Sequence, residues 1–312
     1  MKSLYSLITT IFLTAVFGCV SLMPSLAAAA PDNAGKKAIL VVSFGTTYPE
    51  TTKTTIEAVE NKMKEEFPDY EIRRAFTSRI IIKKLAERDG VKIDTEKEAL
   101  AKLKAEGFNE VIVQPLHISA GEEFDMVKGV VKHLEATKAF DKIALGRPIL
   151  YYMGQEGKND DYLAAAKALE LQFPKSNCNC NEAVVLMGHG GVHPGNSSYA
   201  AMQQKLTDAG YENVYVYTVE GYPSLEGVIT KLKANKVKKV TLMPFMLVAG
   251  DHATNDMAGD EKDSAKSILL AEGFKVDTYI HGMGENANIQ EIYVQHTKDA
   301  IDELNNPKAK KH

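Results

Sequence analysis

Val113-Gln114-Pro115-Leu116-His117-Ile118-Ser119-Ala120-Gly121-Glu122-Glu123 and Leu242-Met243-Pro244-Phe245-Met246-Leu247-Val248-Ala249-Gly250-Asp251-His252 are two versions of one pattern. Proline, alanine, glycine and an acid keep their spacing in both, where an apolar strand-like run turns into a helix-like one. Val42-Ser43-Phe44-Gly45 matches Met187-Gly188-His189-Gly190 in the same way. A repeat at a strand-to-helix crossing implies one α/β unit used twice. The expectation is two similar domains, 31–150 and 151–312, with parallel sheets facing each other across a cleft. In such sheets ligands bind outside the carboxyl ends of the strands, which is where both copies of the repeat fall.

The rest of the chain fits this division. Lys37 to Phe44, Ile72 to Phe76 and Glu110 to Leu116 read as strands, and Ala183 to Met187, Val214 to Val219, Val240 to Met243 and Val276 to Ile280 repeat them. Between them lie helical stretches, Glu50 to Phe67, Arg79 to Arg88, Thr95 to Glu106 and about Glu122 to Thr137. The second half has Asn159 to Gln172, Ser197 to Ala209, Ser224 to Ala234 and a last helix to about Leu304. Gly90, Gly107 and Gly210 stand where a left-handed cap ends a helix.

Ahead of this fold, Lys2 begins a short positive start and Leu4 to Met23 is an almost uncharged apolar run. Ala27 to Ala30 then supply small residues for cleavage. That order is a secretory signal over residues 1–30, and the run is short for a spanning helix. The expected location is periplasmic. Cleavage before Cys19 to leave a lipid anchor is the rival, and Phe17 fits it badly. Losing Lys2 takes the formal net charge from −4 to −5, which gives no support to nucleic-acid binding. Cys178 and Cys180 then remain as a CxC loop pair, fit for a disulfide or spare thiols; two thiolates alone do not complete a tetrahedral zinc site.

Four polar residues fall at strand ends: Glu123 in the first half, and His189, Glu220 and His252 in the second. Gly188 and Gly190 flank His189 and Gly221 follows Glu220, so a ligand can approach the backbone. Two neutral imidazoles and a carboxylate from adjacent strands suit Co²⁺, Fe²⁺, Ni²⁺ or Zn²⁺. One strand-end histidine is more often a structural residue, and spacing alone leaves a metal site and an acid–base site both open. GxGxxG after the first strand, GxxxxGK[ST], HExxH and GxSxG are all missing, which weakens nucleotide, zincin and acyl-hydrolase readings. His193, near Gly190, Gly191 and Pro194, reads as a loop residue.

At Leu40-Val41-Val42-Ser43-Phe44-Gly45-Thr46, Arg74-Ala75-Phe76-Thr77-Ser78, Leu116-His117-Ile118, Met187-Gly188-His189-Gly190, Val219-Glu220-Gly221-Tyr222-Pro223 and Met243 to Ala253, the chain resembles the anaerobic-type sirohydrochlorin cobalt chelatases, the CbiK family of class II chelatases. The resemblance runs through nearly all of the chain after the leader. It implies two flavodoxin-like halves with a tetrapyrrole held between them. It further implies that His189 and His252 hold the metal, with Glu220 beside them and Glu123 lining the cleft. The substrate metal would be Co²⁺, with Fe²⁺ or Ni²⁺ as alternatives and ferrochelatase activity as a variant, and no organic cofactor is needed. Sirohydrochlorin carries eight carboxylates, so Arg73, Arg74, Arg79 and Lys83 are candidates for a cationic rim, or else lie on solvated faces. The export signal departs from the cytoplasmic setting of cobalamin and sirohaem assembly. It motivates a second reading, a periplasmic tetrapyrrole, haem or metal carrier with vestigial chelatase activity.

On Glu122 to Thr137, Phe124, Val127, Val131 and Leu134 form the expected buried stripe. His133 lies off it, near Met126, Gly129 and Val130, on a small face suited to a homo-oligomer contact, where paired copies would offer axial imidazoles to haem iron. An ordinary surface histidine is the plainer reading. The leader is directly testable: mass spectrometry of the exported protein should find the terminus after Ala29 or Ala30. An intact Met1 refutes export with cleavage, and a diacylated Cys19 supports the anchor instead.

Overall fold

The computed structural model describes residues 35–174 and 181–306. The expected leader, Cys19, the Cys178–Cys180 pair and the basic tail lie outside the described residues. Strands β1 (Lys36–Ser43), β2 (Glu71–Phe76), β3 (Phe108–Pro115) and β4 (Lys142–Leu145) form one sheet in the order β2-β1-β3-β4. Strands β5 (Glu182–Gly190), β6 (Val214–Glu220), β7 (Lys239–Pro244) and β8 (Lys275–Thr278) form a second in the order β6-β5-β7-β8. All pairings are parallel, and the repeat extends to register: Val42 lies opposite Pro115, and Met187 opposite Pro244. Parallel strands covered on both faces need continuous apolar centres, which Ala38 to Val42 and Ala183 to Met187 supply, all of them buried. Strand order reverses between β1 and β3 and again between β5 and β7, so each sheet has one switch point.

The first connection, α1 (Pro49–Thr51), a π turn (Thr52–Ile56) and α2 (Glu57–Glu66), is continuous. Two helices, α3 (Arg79–Asp89) and α4 (Glu96–Ala105), join β2 to β3, and α5 (Glu122–Ala136) follows β3. Gly90, at φ +67°, caps α3 as its position predicts, and a capping box between Thr95 and Glu98 starts α4. Next come α6 (Asp161–Glu170), α7 (Ser197–Asp208), α8 (Leu225–Ala234), a π turn (His252–Met257), α9 (Ala265–Ala271) and α10 (Ala287–Asn305). Strand β4 escapes the sequence reading because four residues are too few to show a period. Among the described residues, no helix is long and apolar enough to cross a membrane.

The halves are joined by their helices. α10 packs on β3, β4, α2 and α6, so a helix late in the chain covers the first sheet. Tyr293 Oη donates to the carbonyl of Leu116 (2.9 Å), and Lys298 pairs with Glu66 (3.0 Å). One apolar cluster accordingly contains Ile39, Val41 and Ile112 of the first sheet with Val184, Leu186 and Val216 of the second. Beside it Arg147, just after β4, makes a two-pronged contact with Asp161 of α6 (2.8 and 3.0 Å) and a third with Asp299 of α10 (2.6 Å). His296 of α10 closes the group, with Nε2 against Asp161 (3.2 Å) and Nδ1 against the Arg147 carbonyl (3.1 Å).

Burial opposes the charge on Asp161, but hydrogen bonds from His296 and Arg147 outweigh it and hold its carboxyl below the usual range. Removing one partner of a buried pair strands the other charge. Asp161→Asn should therefore cost about 3–5 kcal/mol in urea unfolding at neutral pH. A carboxylate with a lowered folded pKa stabilises fully above its unfolded value near about 3.9, and the contribution disappears as pH falls through the folded value. Wild type and variant should converge in acid; a gap that persists unchanged to pH 2 would contradict the assignment.

Candidate functional site

The C-terminal strand ends of β6, β5 and β7 bring Glu220, His189 and the His252 turn to one edge of the second sheet. The glycines around His189 are required by close approach. A Cβ on Gly188 would stand 2.4 Å from the Tyr199 ring, and one on Gly190, at φ +82°, would stand 1.8 Å from the Glu220 carbonyl oxygen. The strand end thus holds its imidazole between two backbone positions that admit no side chain.

The His189 and His252 rings lie across the switch point between β5 and β7, with centroids 4.7 Å apart and planes at 89°. His252 opens the π turn, and Nδ1 lies 2.5 Å from Asp256 Oδ2, four residues on. His189 Nδ1 lies 3.2 Å from the carbonyl oxygen of Gly190. A carboxylate and a carbonyl only accept, so each Nδ1 faces an acceptor, the arrangement that leaves the Nε2 lone pair of a neutral ring for a metal. This is the arrangement found around metal-ligating histidines: one ring nitrogen held by an oxygen, the other open.

Glu220 is exposed, and its register partner is Gly190. Its backbone carbonyl accepts from the Gly191 N–H (2.8 Å), which fixes the strand end beside His189. The two histidines meet; Glu220 stands on the neighbouring strand, and no group of three or more metal-binding side chains is assembled among the described residues. Glu123 is the second residue of α5, at the place in the first half that His252 takes in the second. Glu122 is exposed and Glu123 is half-buried. Burial first, and then the charge of Glu122, raise the Glu123 carboxyl above its ordinary range.

Contacts between the halves gather here. Tyr48 Oη donates to Asp251 Oδ1 (3.4 Å), and His193 Nε2 lies 3.4 Å from Asp125 of α5, with Nδ1 accepting the Gly195 N–H (3.0 Å). The buried Tyr199 phenol is pushed up to about 12 mainly by burial, and Ser119 and the backbone of His189 and Gly190 are the polar neighbours that oppose the rise. Tyr199 therefore stands between the loop before Glu123 and the strand end that carries His189. Phe44, which replaces His189 in the first half, is exposed, as are Tyr48, Val192 and Tyr222. Three rings and one aliphatic side chain thus stand exposed beside strand ends of the two halves.

Several residues play parts that the sequence did not disclose. Asp256, Tyr199 and Tyr48 were not singled out, although His252 and Asp256 stand at the i, i+4 spacing that brings side chains together in a helix. Arg73 is held by Glu71 and Glu106, Arg74 by Glu60 and Glu57, Arg79 by Glu96, and Lys83 lies 3.8 Å from Glu87. The expected cationic rim is thus engaged with the protein's own carboxylates. On α5 the stripe of Phe124, Val127 and Val131 is buried, as its period predicts, and Met126 and His133 are exposed. At 1.5 Å per residue, His133 is about 15 Å along the helix from Glu123.

Residues 37–302 match the family model for cobalt chelatase (CbiK). The sirohydrochlorin cobaltochelatase of Salmonella typhimurium is 40% identical over 266 residues, which span 85% of this chain and 97% of that protein. The sirohydrochlorin cobaltochelatase CbiKC of Nitratidesulfovibrio vulgaris is 33% identical, with 86% of this chain and 92% of that protein covered. In fold, the chain is similar to the sirohydrochlorin chelatase SirB of Bacillus subtilis subspecies spizizenii, solved in complex with cobalt, at a TM-score of 0.58 and 14% identity over 87% of this chain and 97% of that one. The paired strand-end histidines thus stand in a chain that belongs to the cobalt chelatase (CbiK) family.

Proposed function

We propose that the chain inserts Co²⁺ into sirohydrochlorin between its two halves, as a tetrapyrrole metal chelatase. The observation that carries this reading is the pair of imidazoles whose Nδ1 atoms are committed to oxygen and whose Nε2 lone pairs are open. The names of the relatives, both cobaltochelatases, supply the metal and the macrocycle. Fe²⁺ and Ni²⁺ suit the same donors, and the choice among them rests on that likeness.

The reaction exchanges two pyrrole N–H protons for one divalent ion. His189 and His252 take the ion from water and present it at the switch point, with Asp256 keeping His252 in the tautomer that ligates. Glu220 compensates the charge of the cation from the neighbouring strand. Glu123, whose carboxyl is raised by burial and by the charge of Glu122, holds a proton more readily than an ordinary carboxylate, which suits it to accept one as the metal enters. Phe44, Tyr48, Val192 and Tyr222 give the ring faces an apolar seat. Binding energy gained there can be spent on distorting the macrocycle so that its nitrogen lone pairs face the ion. The relatives are cobaltochelatases, a likeness that favours the enzyme over a carrier.

His189→Ala and His252→Ala should each abolish cobalt insertion while leaving the circular dichroism spectrum unchanged; near-normal turnover in either sinks the assignment. Asp256→Asn should lower metal affinity or rate by about 10–100-fold, because the carboxylate orients a ligand without being one. Glu220→Gln preserves shape but removes charge, so metal affinity should fall; an unchanged affinity would remove Glu220 from the charge compensation.

A further inference from the structure

His117 is the one imidazole of the described residues with both ring nitrogens shut off from solvent and neither hydrogen-bonded. Burial alone holds its pKa down to about 4, so the ring is neutral at physiological pH. An unpaired buried polar group costs its full desolvation, so natural proteins seldom keep one without a use.

The second half of the chain is a built-in control. Leu116 N–H donates to the Val42 carbonyl (2.7 Å), as Phe245 N–H does to that of Met187 (2.7 Å). The His117 carbonyl accepts from Ile149 (3.2 Å), as that of Met246 does from Met283 (2.9 Å). Ile118 and Leu247 likewise accept from Leu150 (2.8 Å) and Gly284 (2.9 Å). His117 and Met246 therefore occupy one backbone position in two copies of the unit. Met246 fills it with an apolar side chain packed on the core, so the fold does not need a polar group there.

His117 stands six positions before Glu123, as Met246 stands six before His252. Between His117 and Glu123, Ser119 neighbours the buried phenol of Tyr199, whose other polar neighbours are the backbone of His189 and Gly190. The unpaired imidazole thus sits at the base of the segment that carries the proposed proton acceptor and adjoins the metal-binding strand end.

We propose that His117 is a positioning residue of the loaded state: when the macrocycle binds and draws the His117–Glu123 segment inward, the imidazole takes the hydrogen bond it lacks in the free protein and sets Glu123 against the ring nitrogens. This rests on the chelatase reading. The free energy of pairing is released only with ligand present, so it favours the closed, reactive arrangement over the open one.

The test is thermal melting of the full chain with and without sirohydrochlorin, alongside initial rates of Co²⁺ insertion, for wild type, His117→Met and His117→Gln. His117→Met copies the second half. It should melt no lower than wild type when free, lose at least half of the upward shift caused by the macrocycle, and show kcat reduced about tenfold, one hydrogen bond's worth, with KM little changed. His117→Gln, which keeps a hydrogen-bonding group, should recover part of both. Wild-type turnover in His117→Met overturns the proposal, and so does a drop in melting temperature equal in the free and loaded states, which would mean plain packing. If the macrocycle stabilises wild type but no cobalt is inserted, the enzymatic reading fails and the melting comparison still decides His117. A macrocycle that stabilises nothing overturns both.

Discussion

Arg147 is the point at which the two halves become one body. Its guanidinium is nearly enclosed, and its charge is met by Asp161 of α6 and Asp299 of α10, while His296 binds both its carbonyl and the same Asp161. A buried charge of this kind is tolerated only where every partner is in place. Those partners come from the loop after β4 and from two helices that pack on each other, so the network fixes how α10 lies over the first sheet. The position of α10 in turn sets Tyr293 against the end of β3, within a few residues of the loop that leads to Glu123.

On this frame one unit is used twice with different chemistry in each copy. At equivalent strand ends the first half has Phe44, His117 and Glu123, and the second has His189, Met246 and His252. The second sheet carries the paired histidines, and the first contributes a carboxyl of raised pKa and an exposed ring. Division of labour of this kind suits a planar substrate held between facing strand ends, because the ion must arrive from one side while protons leave from another.

The architecture was legible in the sequence because each of its signals is local or periodic. The repeated proline–alanine–glycine–acid segment set the two sheets, the strand centres announced parallel pairing, and the glycine at 90 marked a cap that the backbone confirms at φ +67°. The meeting of His189 and His252, 63 positions apart, was legible from their adjacent strand ends and from the family resemblance, and the rings do come within 4.7 Å of each other. The partner of His252 was hidden because a π turn has no sequence period, and β4 because it is four residues long. The fate of Arg73, Arg74 and Arg79 was illegible for a different reason. Whether a surface arginine is free depends on which carboxylates the fold brings alongside, and Glu60, Glu96 and Glu106 arrive from other elements.

The crossing of α10 has a consequence for how the chain comes into being. During synthesis the first sheet can pair its strands as soon as residue 145 is available, yet one of its apolar faces waits for a helix that begins at Ala287. Domains ordinarily fold in order as they emerge; here one face of the first sheet can close early over residues up to Ile143, while the other has no finished core until nearly all of the chain has been made. That second face is left open to chaperones and proteases for most of translation, and it closes late.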